Sequence, residues 1–366
     1  MRKLFLKTVI VFTYLFTVIT AANAMVTPDD VIVYPSDNGI KAKRVILDEI
    51  NAAQISIQMS IYQIKDAEII QALCNKSEAG INVDVIYEET PYQHAFNQGV
   101  GADSDNLLAQ IKSSKIRLHQ RPENLKTLFP NGHYHARYII IDNNRFLLST
   151  GNFDGTTFDH CRDFCVIFSK DKNQVIFKTL VDLFNRDIKN ESIADLPDSE
   201  DVIIGPHNQR EKILSFLDRA KNNVKMYQQF FNDPAIKECV KTLIAKGIKV
   251  DLVMMAYPLG YESKDPSVET QNDLQAAGVD VRLMDHLYAH GRAIIIDDAY
   301  AMIGTTQLSP PSLDENREIS IVIEGPSVTK LIKQFREDQA VSQANLQEAR
   351  DAALAKRVKW NEVVLG

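Results

Sequence analysis

The chain has 366 residues, 45% of them hydrophobic and 24% charged, with 15 Gly and 13 Pro. That globular composition excludes a disordered, collagen-like or low-complexity protein, and the length suits about two domains. The formal charge of −7 excludes a broadly basic binder of phosphate backbones, and four Cys are too few for a disulfide scaffold.

Residues 1–24 carry the pattern of a secretory signal. Arg2, Lys3 and Lys7 form a charged start, an apolar stretch runs from Thr8 to Thr20, and Ala22-Asn23-Ala24 is an A-x-A cleavage site. The apolar stretch is shorter than the roughly 20 residues that a spanning helix needs. No Cys directly follows it to carry a lipid anchor. The expectation is an exported protein, periplasmic or secreted. Without the three leader cations, 38 Lys and Arg stand against 48 Asp and Glu, a formal charge of −10. Export permits disulfides, but the sequence does not pair Cys74, Cys161, Cys165 and Cys239.

After the leader the chain is written twice. Val31-Ile32-Val33-Tyr34-Pro35 matches Val202-Ile203-Ile204-Gly205-Pro206. Each is followed by a helical stretch, RVILDEINAA or EKILSFLDRAK, and then by an alternating strand, ISIQMSIY or VKMYQQFF. A second helix follows in each half and ends at Gly80 or Gly247, a usual helix-terminating residue. Strands NVDVIY and KVDLVMM come next, then the short strands KIRL and DVRL. This alternation predicts an α/β layered fold. The polar, acidic stretch 190–201 is the expected linker, and an outer helix is expected over 334–359. The expected organisation is a signal peptide over 1–24 and two similar domains over 25–195 and 196–366.

The last block of each half carries the chemistry. His135-Ala136-Arg137 precedes Tyr138-Ile139-Ile140-Ile141-Asp142, and His290-Gly291-Arg292 precedes Ala293-Ile294-Ile295-Ile296-Asp297. One constant offset also carries Thr150 to Thr305, Asn152 to Gln307, Arg162 to Arg317 and Asp163 to Glu318. His and Arg two apart on a strand point to one face, and the Ile run makes the strand a buried one. Two His and two Arg at one interface suit attack on a phosphodiester. One imidazole serves as nucleophile and the other as general acid, while the guanidiniums hold the non-bridging oxygens. Thr150, Asn152, Thr305 and Gln307 are expected to donate further hydrogen bonds to the phosphate. Asp163 and Glu318 are expected to orient a His ring and fix its tautomer. Asp142 and Asp297 are counted among the outer residues of the site, with a turn or inter-strand hydrogen-bonding role favoured.

The paired blocks resemble the H-x-K-x4-D motifs of the phospholipase D superfamily, each followed by a G-S-x-N-like turn and an acidic residue. The resemblance covers about residues 31–330. It implies two similar α/β/α sandwich domains related by a pseudo-twofold axis, an active site at their interface, a transient phosphohistidine and no metal or other cofactor. The sequence departs from the family pattern in three places. Both motif lysines are Arg137 and Arg292, the turns are Ser149-Thr150-Gly151-Asn152 and Gly304-Thr305-Thr306-Gln307, and N-x-E is intact only as Asn316-Arg317-Glu318. Its first counterpart is Cys161-Arg162-Asp163. Arg keeps the charge but is not isosteric with Lys.

The resemblance implies a phospholipase D-type phosphodiesterase that hydrolyses phospholipid headgroup esters or transfers the phosphatidyl group, with transient contact to a membrane surface. A secreted nuclease or an inactive phosphate- or lipid-binding module are the alternatives. Nucleic acid is the less favoured partner because of the acidic charge. Apolar loops at Leu128-Phe129-Pro130 and Met254–Tyr261 fit a lipid-facing rim or ordinary packing. By resemblance His135 is expected to be the nucleophile and His290 the acid. His133, which makes an H-x-H with His135, has Tyr288 as its counterpart, so a doubled metal site is not expected. Arg162 and Arg317, beside the acids, fit equally a salt bridge and a phosphate contact.

Overall fold

The computed structural model describes residues 25–35, 40–89, 91, 111–112, 114–256 and 266–353. The leader expected at 1–24 and the apolar loop from Tyr257 onward lie outside them. The first half runs β1 (Asp30–Tyr34), α1 (Ile40–Ala52), β2 (Ser56–Ile61), α2 (Ala67–Glu78), β3 (Asn82–Tyr87), β4 (Arg117–His119), α3 (Glu123–Leu128), β5 (Tyr138–Ile141), β6 (Arg145–Ser149), α4 (Gly155–His160), β7 (Cys161–Ser169) and α5 (Gln174–Lys189). The second half runs β8 (Val202–Ile204), α6 (Gln209–Asp218), β9 (Asn223–Gln228), α7 (Pro234–Ala245), β10 (Lys249–Met255), α8 (Val268–Ala276), β11 (Asp280–Met284), β12 (Tyr288–Ala289), β13 (Ala293–Ile296), β14 (Tyr300–Gly304), α9 (Pro310–Asp314), β15 (Ile319–Glu324) and α10 (Pro326–Val341). The domain boundary expected after residue 195 falls between α5 and β8.

The two sheets repeat one topology. The first has the order β1-β7-β6-β5-β2-β3-β4, the second the mirror listing β8-β15-β14-β13-β9-β10-β11. In each, three neighbouring strands run parallel, and the strand after the His motif joins them antiparallel. Local signals repeat as well. Asp66 caps α2 by accepting from the amides of Glu68 and Ile69, and Asp233 caps α7 by accepting from Ile236. After both helices the chain turns through Gly80 (φ 92°) and Gly247 (φ 83°), a conformation that costs other residues.

Three cores hold the layers together. One outer core packs α1 and α2 on the first sheet through Ile46, Ile50, Ile69 and Leu73. The other packs α6 and α7 on the second through Ile213, Leu217, Ile236 and Val240. The central core lies between the sheets and contains the inner faces of α5 and α10. Burial of each large aliphatic side chain is worth about 1.5–3 kcal/mol, so the interface between the halves is itself a core.

The outer helix expected over 334–359 is corrected in two ways. Its first part, α10, is not on the outside: Val328, Leu331, Ile332, Phe335 and Asp338 form a buried stripe between the halves. It also stops at Val341, because Gln343 leaves the helix to exchange backbone hydrogen bonds with Leu283 at the edge of the second sheet (2.9 and 3.0 Å). Helix resumes only over 346–353.

Candidate active site

The Ile-rich strands β5 and β13 sit near the middle of their sheets, so the residues just before them emerge at the seam between the halves. There each chain segment leaves its own sheet and pairs with the other half. Tyr288 and Ala289 in β12 pair in parallel with Cys161 and Arg162 of β7. Tyr134 forms the equivalent bridge with Arg317, and the His135 amide donates to the Arg317 carbonyl (2.9 Å). The Gly291 amide approaches the Arg162 carbonyl at 2.6 Å, and a Cβ at Gly291 would stand 2.7 Å from the Phe164 ring. Glycine is required there by the close approach of the two halves.

This exchange crosses the acids over. His135 Nδ1 faces Glu318 of the second half (2.9 and 2.8 Å), and His290 Nδ1 faces Asp163 of the first (3.0 and 2.9 Å). Each acid is fully buried, and each His retains under a tenth of its surface. A carboxylate facing Nδ1 sets the proton on that nitrogen and leaves the Nε2 lone pair for chemistry. Neither half contains a complete His–acid pair of its own.

The arginines join the pairs into one site. Arg137 Nη1 and Arg292 Nη1 both donate to the Thr150 carbonyl (3.1 and 2.8 Å). Arg137 also donates from Nη2 to His135 Nε2 (2.7 Å) and from Nε to Asn152 Oδ1 (2.6 Å). Arg292 Nη1 lies 3.3 Å from both ring nitrogens of His290. Burial, and then the adjacent Arg137, hold the His135 imidazole down to about 3; burial and Arg292 hold His290 down to about 4. Both rings are therefore neutral at neutral pH. Burial and the neighbouring Arg292 bring Arg137 down to about 9, against the opposing pull of Glu318 and Asp163, because the two guanidiniums crowd one site. Burial raises the Glu318 carboxyl, but His135 and its hydrogen bonds outweigh that and hold it below its usual range.

Two sequence expectations, for the threonines, are corrected. Thr150 and Thr305 are not placed to hold a phosphate. Both are fully buried; the Thr150 hydroxyl donates to Asp163, and the Thr305 hydroxyl accepts from the Ile319 amide (3.0 Å). Their hydroxyls hold Asp163 and the strands behind the His rings. Asp142 and Asp297 do not join the site either. They follow the far ends of β5 and β13, where Asp142 accepts from the amides of Gln54, Ile55 and Ser56 and Asp297 from those of Lys221, Asn222 and Asn223. They tie strand ends together, as the turn reading had it.

Asn152 and Gln307 remain at the site. Asn152 engages Arg137, and Gln307 Nε2 donates to Gln229 Oε1 (2.9 Å). Arg162 and Arg317 are structural: Arg162 forks onto Asp338 of α10 (2.6 and 2.9 Å), and Arg317 reaches Asp187 of α5 (3.0 Å), each across the seam. The four Cys are free thiols. Among the described residues no group of three or more His, Cys, Asp or Glu is placed to hold a metal ion, and no helix is long and apolar enough to cross a membrane.

Two site residues were missed in the sequence. The Tyr62 ring lies 4.7 Å from the His135 ring and 5.5 Å from the Arg137 guanidinium carbon. Gln229 accepts from Arg292 Nη2 (2.5 Å). The strand registers Ser60↔Tyr138 and Tyr227↔Ala293 make Tyr62 and Gln229 equivalent positions, two residues further on. The signal available was place, just beyond the strand beside each motif, because the residue types differ.

Comparison with known proteins agrees with this geometry. A family described as cardiolipin synthase, PLD-like domain, matches residues 46–188 and 213–339. The chain is 22% identical over 360 residues to the major cardiolipin synthase ClsA of Bacillus subtilis, covering 90% of this chain and 73% of that protein. It is 28% identical over 162 residues to a cardiolipin synthase of Staphylococcus aureus, covering 43% of this chain and 32% of the relative. In fold it resembles the phosphatidylserine synthase of Haemophilus influenzae, with a TM-score of 0.67, 14% identity and coverage of 93% of this chain and 96% of the other. It also resembles the polyphosphate kinase of Porphyromonas gingivalis, with a TM-score of 0.61, 17% identity and coverage of 91% and 55%.

Proposed function

Because the chain belongs to the cardiolipin synthase-type, phospholipase D-like family, we propose that it is a phosphodiesterase that transfers the phosphatidyl group of a phospholipid to an alcohol, or to water in the hydrolytic branch. The single observation that carries this reading is the crossed pair of buried His–carboxylate couples, His135–Glu318 and His290–Asp163, bridged by two arginines. The relatives named for phospholipid synthesis favour transfer over hydrolysis as the main outcome. The leader pattern supports an activity outside the cytoplasm, in the periplasm or medium.

In the proposed reaction the phosphodiester anion seats between Arg137 and Arg292. Its charge offsets both guanidiniums, which lifts His290 toward its ordinary range, so a proton enters with the substrate. His135 Nε2, released from Arg137, attacks phosphorus. The bond from phosphorus to the headgroup oxygen breaks, and the His290 Nε2 proton passes to that oxygen. The phosphatidyl group is then held on His135. Neutral His290 next takes the proton of an incoming alcohol or water, whose oxygen displaces the imidazole and restores both rings. Glu318 and Asp163 stabilise the charge on each ring in turn.

The test incubates the purified protein with mixed phospholipid vesicles and glycerol, and separately with DNA. Phosphatidic acid or a phosphatidyl alcohol is expected, with the phosphohistidine trapped by rapid denaturation in detergent at neutral to mildly alkaline pH. His135→Ala is expected to abolish turnover and labelling. His290→Ala is expected to lose about 10²–10⁴-fold on a lipid substrate and much less on a nitrophenyl ester, whose leaving group needs little protonation. Labelling of His135→Ala but not His290→Ala reverses the roles. DNA nicking without lipid turnover replaces the lipid reading with the nuclease one.

A further inference from the structure

We propose that Gln229 is a positioning residue that fixes the Arg292 guanidinium for the substrate phosphate, and this rests on the reading that the site binds a phosphodiester. Gln229 is buried at the end of β9, where an amide is costly unless its polar atoms are paired. They are paired toward the site. Oε1 accepts from Arg292 Nη2 (2.5 Å) and from Gln307 Nε2 (2.9 Å), and Nε2 donates to the Tyr288 hydroxyl (2.9 Å). With Nη1 on the Thr150 carbonyl, both terminal nitrogens of Arg292 are anchored and the plane of the guanidinium is set.

The two arginines differ in what is left over. Arg137 directs Nε to Asn152, Nη1 to Thr150 and Nη2 to His135. Arg292 Nε is buried without an acceptor among the described residues. An unpaired buried donor is unfavourable, and an arriving phosphate oxygen relieves it after a small shift of the group. Arg292, held by Gln229, is therefore the guanidinium that engages the phosphate first, while Arg137 is released from His135 as attack begins. Tyr62 holds the equivalent place beside Arg137 with a ring in place of an amide.

The experiment measures binding of inorganic phosphate to the full-length protein by calorimetry, and kcat and KM on a nitrophenyl phosphodiester. Gln229→Met keeps the length and removes the hydrogen bonds. It is expected to raise the Kd for phosphate roughly 10- to 100-fold, the range for a hydrogen bond to a charged group, and to raise KM more than it lowers kcat. On an Arg292→Lys background the same change is expected to add little, since Gln229 acts through Arg292. Wild-type phosphate affinity in Gln229→Met, or a full additional loss on the Arg292→Lys background, overturns the proposal. Where thermal unfolding shows that Gln229→Met is not folded, Gln229→Asn carries the same expectation and the same two overturning results. Phosphate binding is read whether or not lipid is turned over, so failure of the lipid reading is separate from failure of this one.

Discussion

The two halves of the site are built alike and furnished differently. Glu318 reaches His135 with two further donors around it, from Ser312 (2.7 Å) and Asn316 (3.2 Å). Asp163 reaches His290 with the Thr150 hydroxyl beside it, and Cys161 stands where Asn316 stands in the other half. Around the rings, His135 meets Tyr62 and Arg137, whereas Arg292 beside His290 meets Gln229. The lesson is a division of labour on a symmetric frame. The carboxylate with more hydrogen-bond donors holds its imidazole in one tautomer with a lone pair aimed inward, as a nucleophile needs. The shorter, less supported acid faces the ring that must gain and lose a proton.

The comparison is broken most strongly by removing one acid charge at a time. Glu318→Gln is expected to lower kcat about 10³-fold or more on every substrate, because the His135 ring loses both its tautomer and its charge partner. Asp163→Asn is expected to cost as much on a lipid but much less on a nitrophenyl ester. Steady-state kinetics of both variants on both substrates check this, and equal losses throughout would remove the distinction between the halves.

The crossed salt bridges give a second, smaller contrast. Arg162 forks onto Asp338, while Arg317 makes a single bond to Asp187 and leaves Nε unpaired. Breaking a buried pair by removing one partner typically costs about 3–5 kcal/mol. Arg162→Met is expected at the upper end of that range and Arg317→Met at the lower, measured as shifts in the urea midpoint with unchanged slope.

A third contrast is in pH. Both His rings are neutral when folded, at about 3 for His135 and about 4 for His290, against an unfolded value near 6.5. Their stability contribution is complete above about pH 6.5. Below it the unfolded chain binds protons that the folded protein refuses, so stability falls by up to about 1.4 kcal/mol per pH unit for each ring. Denaturant titrations from pH 7 to 4 are expected to show this slope. His290→Gln should remove its share down to about pH 4, and His135→Gln its share down to about pH 3. A slope unchanged in both variants would mean that neither ring is held neutral by its surroundings.

The duplication, the buried strand that follows each His and Arg, the helices ended by glycine and the layered α/β class were all legible in the sequence. Those features follow from short-range rules: alternation along a strand, a glycine at positive φ. Each depends on neighbours a few residues away. The motif also named the His, Arg and acidic residues that the structure brings together, because their spacing is the same in both copies. It could not say which acid meets which ring. His135 and Glu318 are 183 residues apart and His290 and Asp163 are 127 apart, and equal spacing fits pairing within a half as well as across the seam. Packing chose the crossed arrangement, when the segments before β5 and β13 were drawn out of their own sheets to pair with the opposite half. The same packing took the Thr150 and Thr305 hydroxyls away from the substrate, moved α10 from the surface into the seam, and brought Tyr62 and Gln229 to the arginines. Such contacts join distant parts of the chain, and their energies exist only once the two sheets face each other.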